Sequence, residues 1–82
     1  LYQSLKLAER RVKEGERECR RIIAEMKDLI SSNSSSEVDY ISFADNYTLQ
    51  ELENLQLGQS VLISLAVKFG TTRLIDNTIS LV

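Results

Sequence analysis

Val61-Leu62-Ile63-Ser64-Leu65-Ala66-Val67-Lys68-Phe69-Gly70-Thr71-Thr72-Arg73-Leu74-Ile75-Asp76-Asn77 is the stretch whose reading decides the fold. Val61 to Val67 is almost continuously apolar, which suits a strand covered on both faces or nearly so. Gly70 suits a tight hairpin turn. From Arg73 to Leu81 the chain alternates, with Arg73, Ile75, Asn77, Ile79 and Leu81 on one side and Leu74, Asp76, Thr78 and Ser80 on the other. Two strands joined by a tight turn form an antiparallel hairpin, and the rest of the chain is read outward from it.

Upstream, Val38-Asp39-Tyr40-Ile41-Ser42-Phe43-Ala44 has the β-branched and aromatic content of a strand. Asp45-Asn46 reads as a turn. Thr48 and Glu51 then have capping-box spacing, with Tyr47 and Leu52 as the flanking apolar pair, and predict a short helix. Leu49, Leu52 and Leu55 form its inward side, and Gly58 is placed to close it.

Ser31 to Ser36 is a polar run whose side chains compete for backbone hydrogen bonds, so it predicts a loop. Ahead of it, Leu1, Leu5, Ala8 and Val12 recur at steps of four, three and four, one face of a helix. Cys19, Ile22, Ile23, Met26, Leu29 and Ile30 make a second apolar stripe. Gly15 suits the left-handed position after the first helix. One continuous bent helix stays open as an alternative.

The predicted fold class is α+β in two layers. A three-stranded, mostly antiparallel sheet is covered on one face by two longer helices and one short helix. If the sheet is antiparallel throughout, the first strand pairs with the last. Otherwise it lies parallel to Val61–Val67, reached by a right-handed crossover.

The chain has 82 residues, enough for one small domain and one modest core. Apolar residues are 43% and charged residues 27%, a globular balance. The net charge of −2 is uneven. Residues 1–31 carry eight Lys/Arg against six Asp/Glu, whereas residues 32–82 carry two against six. The arginines Arg10, Arg11, Arg17, Arg20 and Arg21 raise the idea of nucleic-acid binding. Their neighbours alternate in sign at helical spacing (Glu9 to Lys13, Glu16 to Arg20, Arg21 to Glu25), which reads as a solvated face. Neither a nucleic-acid nor a membrane partner is expected. No apolar run reaches the roughly 20 residues of a membrane span. The lone Cys19 rules out an internal disulfide and suits a reducing, cytoplasmic setting. With no histidine and one cysteine, no zinc site is expected.

Phe69-Gly70-Thr71-Thr72-Arg73-Leu74-Ile75-Asp76-Asn77 resembles the signature that closes members of the pantoate–β-alanine ligase family, Gly-x-x-Arg-Leu-Ile-Asp-Asn. Gly15-Glu16-Arg17 resembles that family's junction between two helices. Val38-Asp39-Tyr40 and Thr48-Leu49-Gln50-Glu51-Leu52 resemble its strand and following "Thr-Leu" helix, and Val61 to Gly70 its apolar strand. The likeness covers essentially the whole chain in order.

The resemblance implies a two-step reaction. ATP, with Mg, activates pantoate as pantoyl adenylate with release of pyrophosphate, and the amine of β-alanine then displaces AMP. It also implies that catalysis sits in a preceding Rossmann-like domain bearing a His-x-Gly-His motif and a Lys-Met-Ser-type loop, neither of which occurs here. Residues 1–82 are then expected to be a single C-terminal lid domain, a fragment that binds no cofactor and has no catalytic, cofactor-binding or metal residue of its own. Its expected partners are its own catalytic domain, pantoate, β-alanine and ATP. The full-length enzyme is expected to be a homodimer, and the fragment to self-associate through exposed apolar surface. The rival reading is a protein-interaction module with no enzymatic role.

Lys68, Arg73, Asp76 and Asn77 are the candidates for facing an active site. The preferred reading is structural: Arg73 pairs with an acid, Asp76 and Asn77 hold backbone groups, and Lys68 is a solvated strand end. Alternation puts Arg73 and Asn77 on one face and Asp76 on the other, against a single three-residue site. Cys19 is read as a small core residue rather than a reactive thiol lowered by Arg20 and Arg21. Tyr2, Tyr40 and Tyr47 are read as packed rings with wet hydroxyls.

Overall fold

The computed structural model describes residues 1–32 and 35–82. Two helices, α1 (Tyr2–Lys13) and α2 (Cys19–Ser31), precede three strands, β1 (Ser36–Asp45), β2 (Ser60–Phe69) and β3 (Thr72–Leu81). The two-layer α+β class expected from the sequence is the class observed. The polar loop expected at Ser31–Ser36 falls partly on Asn33 and Ser34, outside the described residues; Ser31 ends α2 and Ser36 begins β1.

The helices are separate. Gly15 sits at φ +105, a conformation that a side chain disfavours. Its N–H donates to Val12 O at 3.2 Å while Glu16 N–H donates to Arg11 O at 3.0 Å. This is a Schellman closure, which satisfies the last carbonyls of α1 and turns the chain back. Leu5, Ala8 and Val12 of α1 and Cys19, Ile22, Met26 and Ile30 of α2 are buried, the stripes that the spacing implies. Leu29 is half-exposed instead.

None of the three expected i,i+4 ion pairs forms within 4 Å among the described residues. The helices use Lys6–Glu9, Arg11–Glu14 and Arg21–Glu18 at i,i+3, and Arg11–Glu25 between helices at 3.0 Å. Glu9 also accepts a bond from Thr78 Oγ1 of β3 at 2.7 Å, which holds its carboxyl below the usual range.

The sheet order is β1-β2-β3, antiparallel throughout. This corrects both expected arrangements: the first strand pairs antiparallel with the middle one. The β1–β2 connection is the reason. The helix expected over 48–58 does not form, so nothing crosses over the sheet, and the chain folds back beside β1.

Asp45 Oδ1 accepts from the N–H groups of Tyr47 and Thr48 at 2.8 and 2.9 Å, making a turn of its own. Leu49 follows at φ +63. Asp45 N–H donates to Gln50 O and Leu52 N–H to Phe43 O, which lays residues 50–52 along the edge of β1. Further on, Leu55 N–H donates to Arg17 O and Cys19 N–H to Glu53 O, tying the segment to the turn between the helices. Glu51 bonds Ser42 Oγ at 2.5 Å instead of completing a capping box. Leu55 is buried and Leu52 packs on the core as expected, but Leu49 is 65% exposed. Gly58 closes no helix; its N–H donates to Val82 O at 2.6 Å.

The two acceptor bonds on Asp45 depress its carboxyl below the ordinary range. A depressed carboxyl contributes stability above its unfolded value and loses it as pH falls through the folded one. Asp45 is therefore expected to titrate below about 3.9 by NMR. Asp45→Asn should flatten the fall in urea midpoint as pH drops below the ordinary aspartate value of about 3.9. An ordinary midpoint for Asp45 would contradict the turn described here.

One bulge fixes the core. Val38 pairs with Val67 and Tyr40 with Ala66, so Asp39 is the extra residue. It switches the parity of β1, letting Val38, Ile41 and Phe43 all face the helices despite their odd spacing. On β2, Val61, Ile63, Leu65 and Val67 are fully buried against them. α2 packs on β1 and α1 on β3.

Candidate functional site

The helices cover one side of the sheet only, so the other side is the candidate site. Inward Val61, Ile63, Leu65 and Val67 leave Leu62, Ser64, Ala66 and Lys68 on the open face. Register then builds the rows of that face: Ala44–Leu62–Ile79, Ser42–Ser64–Asn77 and Tyr40–Ala66–Ile75, with Lys68 opposite Arg73 at the hairpin end. Tyr40, Ile75, Ile79 and Leu81 are exposed there at 39%, 57%, 59% and 72%. Edge strand β3 thus turns Ile75, Ile79 and Leu81 outward, and Leu74 with the polar Asp76, Thr78 and Ser80 toward the helix side. Periodicity showed the two sets but not which one faces out.

The bulge also arms the hairpin end. Arg73 Nε donates to Asp39 Oδ2 at 2.7 Å, across β2, and its guanidinium lies 5.9 Å from the centre of the Tyr40 ring. The expected acidic partner of Arg73 is therefore Asp39. Asp76 Oδ1 accepts from Asn77 N–H at 2.8 Å, a local side-chain-to-backbone bond. Asp76 pairs with Leu65 and Asn77 with Ser64, so the two lie on opposite faces and no three-residue site assembles. Lys68 has no ion pair within 4 Å among the described residues, although Glu37 is its register neighbour. Reading the residues alone did not connect Asp39 and Tyr40 to Arg73, because the odd step from Val38 to Ile41 marks a break in alternation but names no partner across the sheet.

The helical end offers less. A cleft of about 400 Å³ opens beside the start of α2, lined by Glu18, Cys19, Arg20, Ile23, Leu52 and Glu53 among others. Cys19 is 2% exposed, and burial pushes its thiol up to about 11, away from a reactive thiolate. Glu18 Oε2 lies 2.7 Å from Arg21 Nε. Arg11 is held by Glu14 and Glu25, and Arg17 by the carbonyls of Val12 and Glu16, so the helical arginines form no continuous phosphate-facing stripe. Tyr2 and Tyr47 are exposed rather than packed, and Tyr2 lies 5.3 Å beneath Lys6. Among the described residues, no three His, Cys, Asp or Glu side chains gather as a metal-binding group. No helix among them is long and apolar enough to cross a membrane.

Comparison with known proteins gives this geometry a context. The chain is 46% identical over 79 residues to pantothenate synthetase of Syntrophomonas wolfei, covering 96% of this chain and 27% of that protein. It is 42% identical over 76 residues to the enzyme of Desulforapulum autotrophicum (93% of this chain, 26% of that one). It is 37% identical over 78 residues to that of Salinibacter ruber (95% and 26%). The chain therefore spans about a quarter of the length of these relatives. The family model for pantoate-beta-alanine ligase matches residues 1–79, almost every residue from α1 through β3, and the chain belongs to that family.

Proposed function

We propose that this chain is the C-terminal lid domain of an ATP-dependent ligase that joins pantoate to β-alanine. The pantoate carboxylate attacks the α-phosphorus of ATP, releasing pyrophosphate and forming pantoyl adenylate. The β-alanine amine then attacks the acyl carbon and AMP leaves. The chemistry belongs to a catalytic domain elsewhere in the same polypeptide, where ATP binds with Mg. The lid supplies closure and no reacting group. Its partners are that domain and, through it, pantoate, β-alanine and ATP, in a homodimeric cytoplasmic enzyme.

The observation that carries the reading is the one-sided sheet in a chain matching nearly end to end with a quarter of a pantothenate synthetase. Soluble domains seldom leave an aliphatic sheet face bare without a partner for it. An acyl adenylate hydrolyses readily, so a site that makes one gains from excluding water until the amine attacks. A small domain moving on a hinge provides that exclusion and sets part of the turnover rate.

The same bare face favours the rival, an interaction module with no enzymatic role. Hydrogen exchange on the full-length protein separates the two. ATP with pantoate is expected to slow exchange in β1 and β3. Unchanged exchange and unchanged domain position with both ligands bound would end the lid reading and favour the module.

A further inference from the structure

Residues 32–82 contain only two cations, Lys68 and Arg73, and the sheet places them directly opposite each other. Like charges in a cross-strand pair are destabilising. Both cations stand on the uncovered face, where Asp39 binds one edge of Arg73 and Glu37 is the register neighbour of Lys68 without forming an ion pair within 4 Å among the described residues.

We propose that Lys68 and Arg73 form a phosphate-binding pair that engages the polyphosphate of ATP when the sheet face closes over the catalytic domain. The proposal rests on the lid reading above. Asp39 takes only Nε of Arg73, at 2.7 Å, and Tyr40 lies beneath the guanidinium. Among the described residues Nη1 and Nη2 have no hydrogen-bond partner, so the planar fork is held at one edge and open at the other. Lys68 adds a second, unpaired point charge on the same face. A carboxylate would be satisfied by the guanidinium alone. Two adjacent cations suit the several oxygens and multiple charge of a di- or triphosphate. The bulge at Asp39 is the positioning device: it brings an acid onto the open face two strands from Arg73. Tyr40 and Asp39 act through Arg73 and do not touch the ligand.

The test is steady-state kinetics on the full-length enzyme. Lys68→Gln alters an exposed residue near the end of β2 that forms no ion pair within 4 Å among the described residues. It is expected to raise KM for ATP about tenfold and to weaken inhibition by inorganic pyrophosphate about as much. KM for pantoate and for β-alanine should stay unchanged. Lys68→Arg should retain the wild-type KM for ATP, and Lys27→Gln on the exposed side of α2 serves as the charge control. A purely structural Lys68 would produce no split between substrates.

An unchanged KM for ATP in Lys68→Gln would overturn the proposal, as would a rise confined to pantoate. Hydrogen exchange on the same samples keeps the two ideas apart. Ligand-dependent protection with an unchanged KM removes the phosphate pair and leaves the lid standing. Absence of protection in the unmutated enzyme removes both.

Discussion

Phe43→Ala is expected to lower the stability of the isolated chain by about 3–5 kcal/mol at 25 °C. Phe43 is 1% exposed and is among the largest fully buried side chains. Truncating such a ring costs about 3–5 kcal/mol, because the transfer energy is lost and the surroundings collapse only partly into the cavity. A domain of 82 residues has about 4–12 kcal/mol in total. The loss therefore consumes a large share of the stability, and at the lower end all of it. Urea unfolding followed by circular dichroism gives the answer. A midpoint within about 0.5 M of wild type, corresponding to roughly 1 kcal/mol or less, would show that Phe43 is not central to the core.

Ile63→Asp and Ile79→Asp are expected to have opposite outcomes, although both replace an isoleucine on a strand. Ile63 is fully buried under the helices, inside the apolar core cluster. An unpaired charge in that position costs several kcal/mol or forces protonation, and either should prevent folding at neutral pH. Ile79 is 59% exposed on the open face, in the row with Leu62 and Ala44. Aspartate there should change stability by no more than about 1 kcal/mol. It should also reduce self-association of the isolated chain, because the aliphatic patch is interrupted. Thermal unfolding and sedimentation measure the two effects. Equal destabilisation by both substitutions would mean that the face described as open is covered in solution.

These contrasts mark where the sequence was a sufficient guide. The family was legible from the run ending in Arg73-Leu74-Ile75-Asp76-Asn77, and the match over residues 1–79 agrees with it. The open-face site was legible only in part. Lys68 and Arg73 were visible as candidates, and alternation separated Asp76 from Asn77. Asp39 and Tyr40 were hidden, because they reach Arg73 only through the bulge and across a strand.

What the sequence determined by itself is everything set by short-range periodicity. The two apolar helical stripes and the β2–β3 hairpin follow from spacing and from a two-residue turn, whereas the left-handed backbone at Gly15 decided that the helices are separate. Tertiary structure decided what local preference could not. The signal at Thr48 and Glu51 is worth about 0.5–2 kcal/mol to a helix. It lost to the Asp45 turn, to burial of Leu55 and to backbone bonds with β1 and the interhelical turn. With that helix gone there was no crossover, and β1 settled beside β2. Which side of β3 faces outward was likewise undecided until the helices docked, because alternation defines two faces and only packing chooses which one is covered.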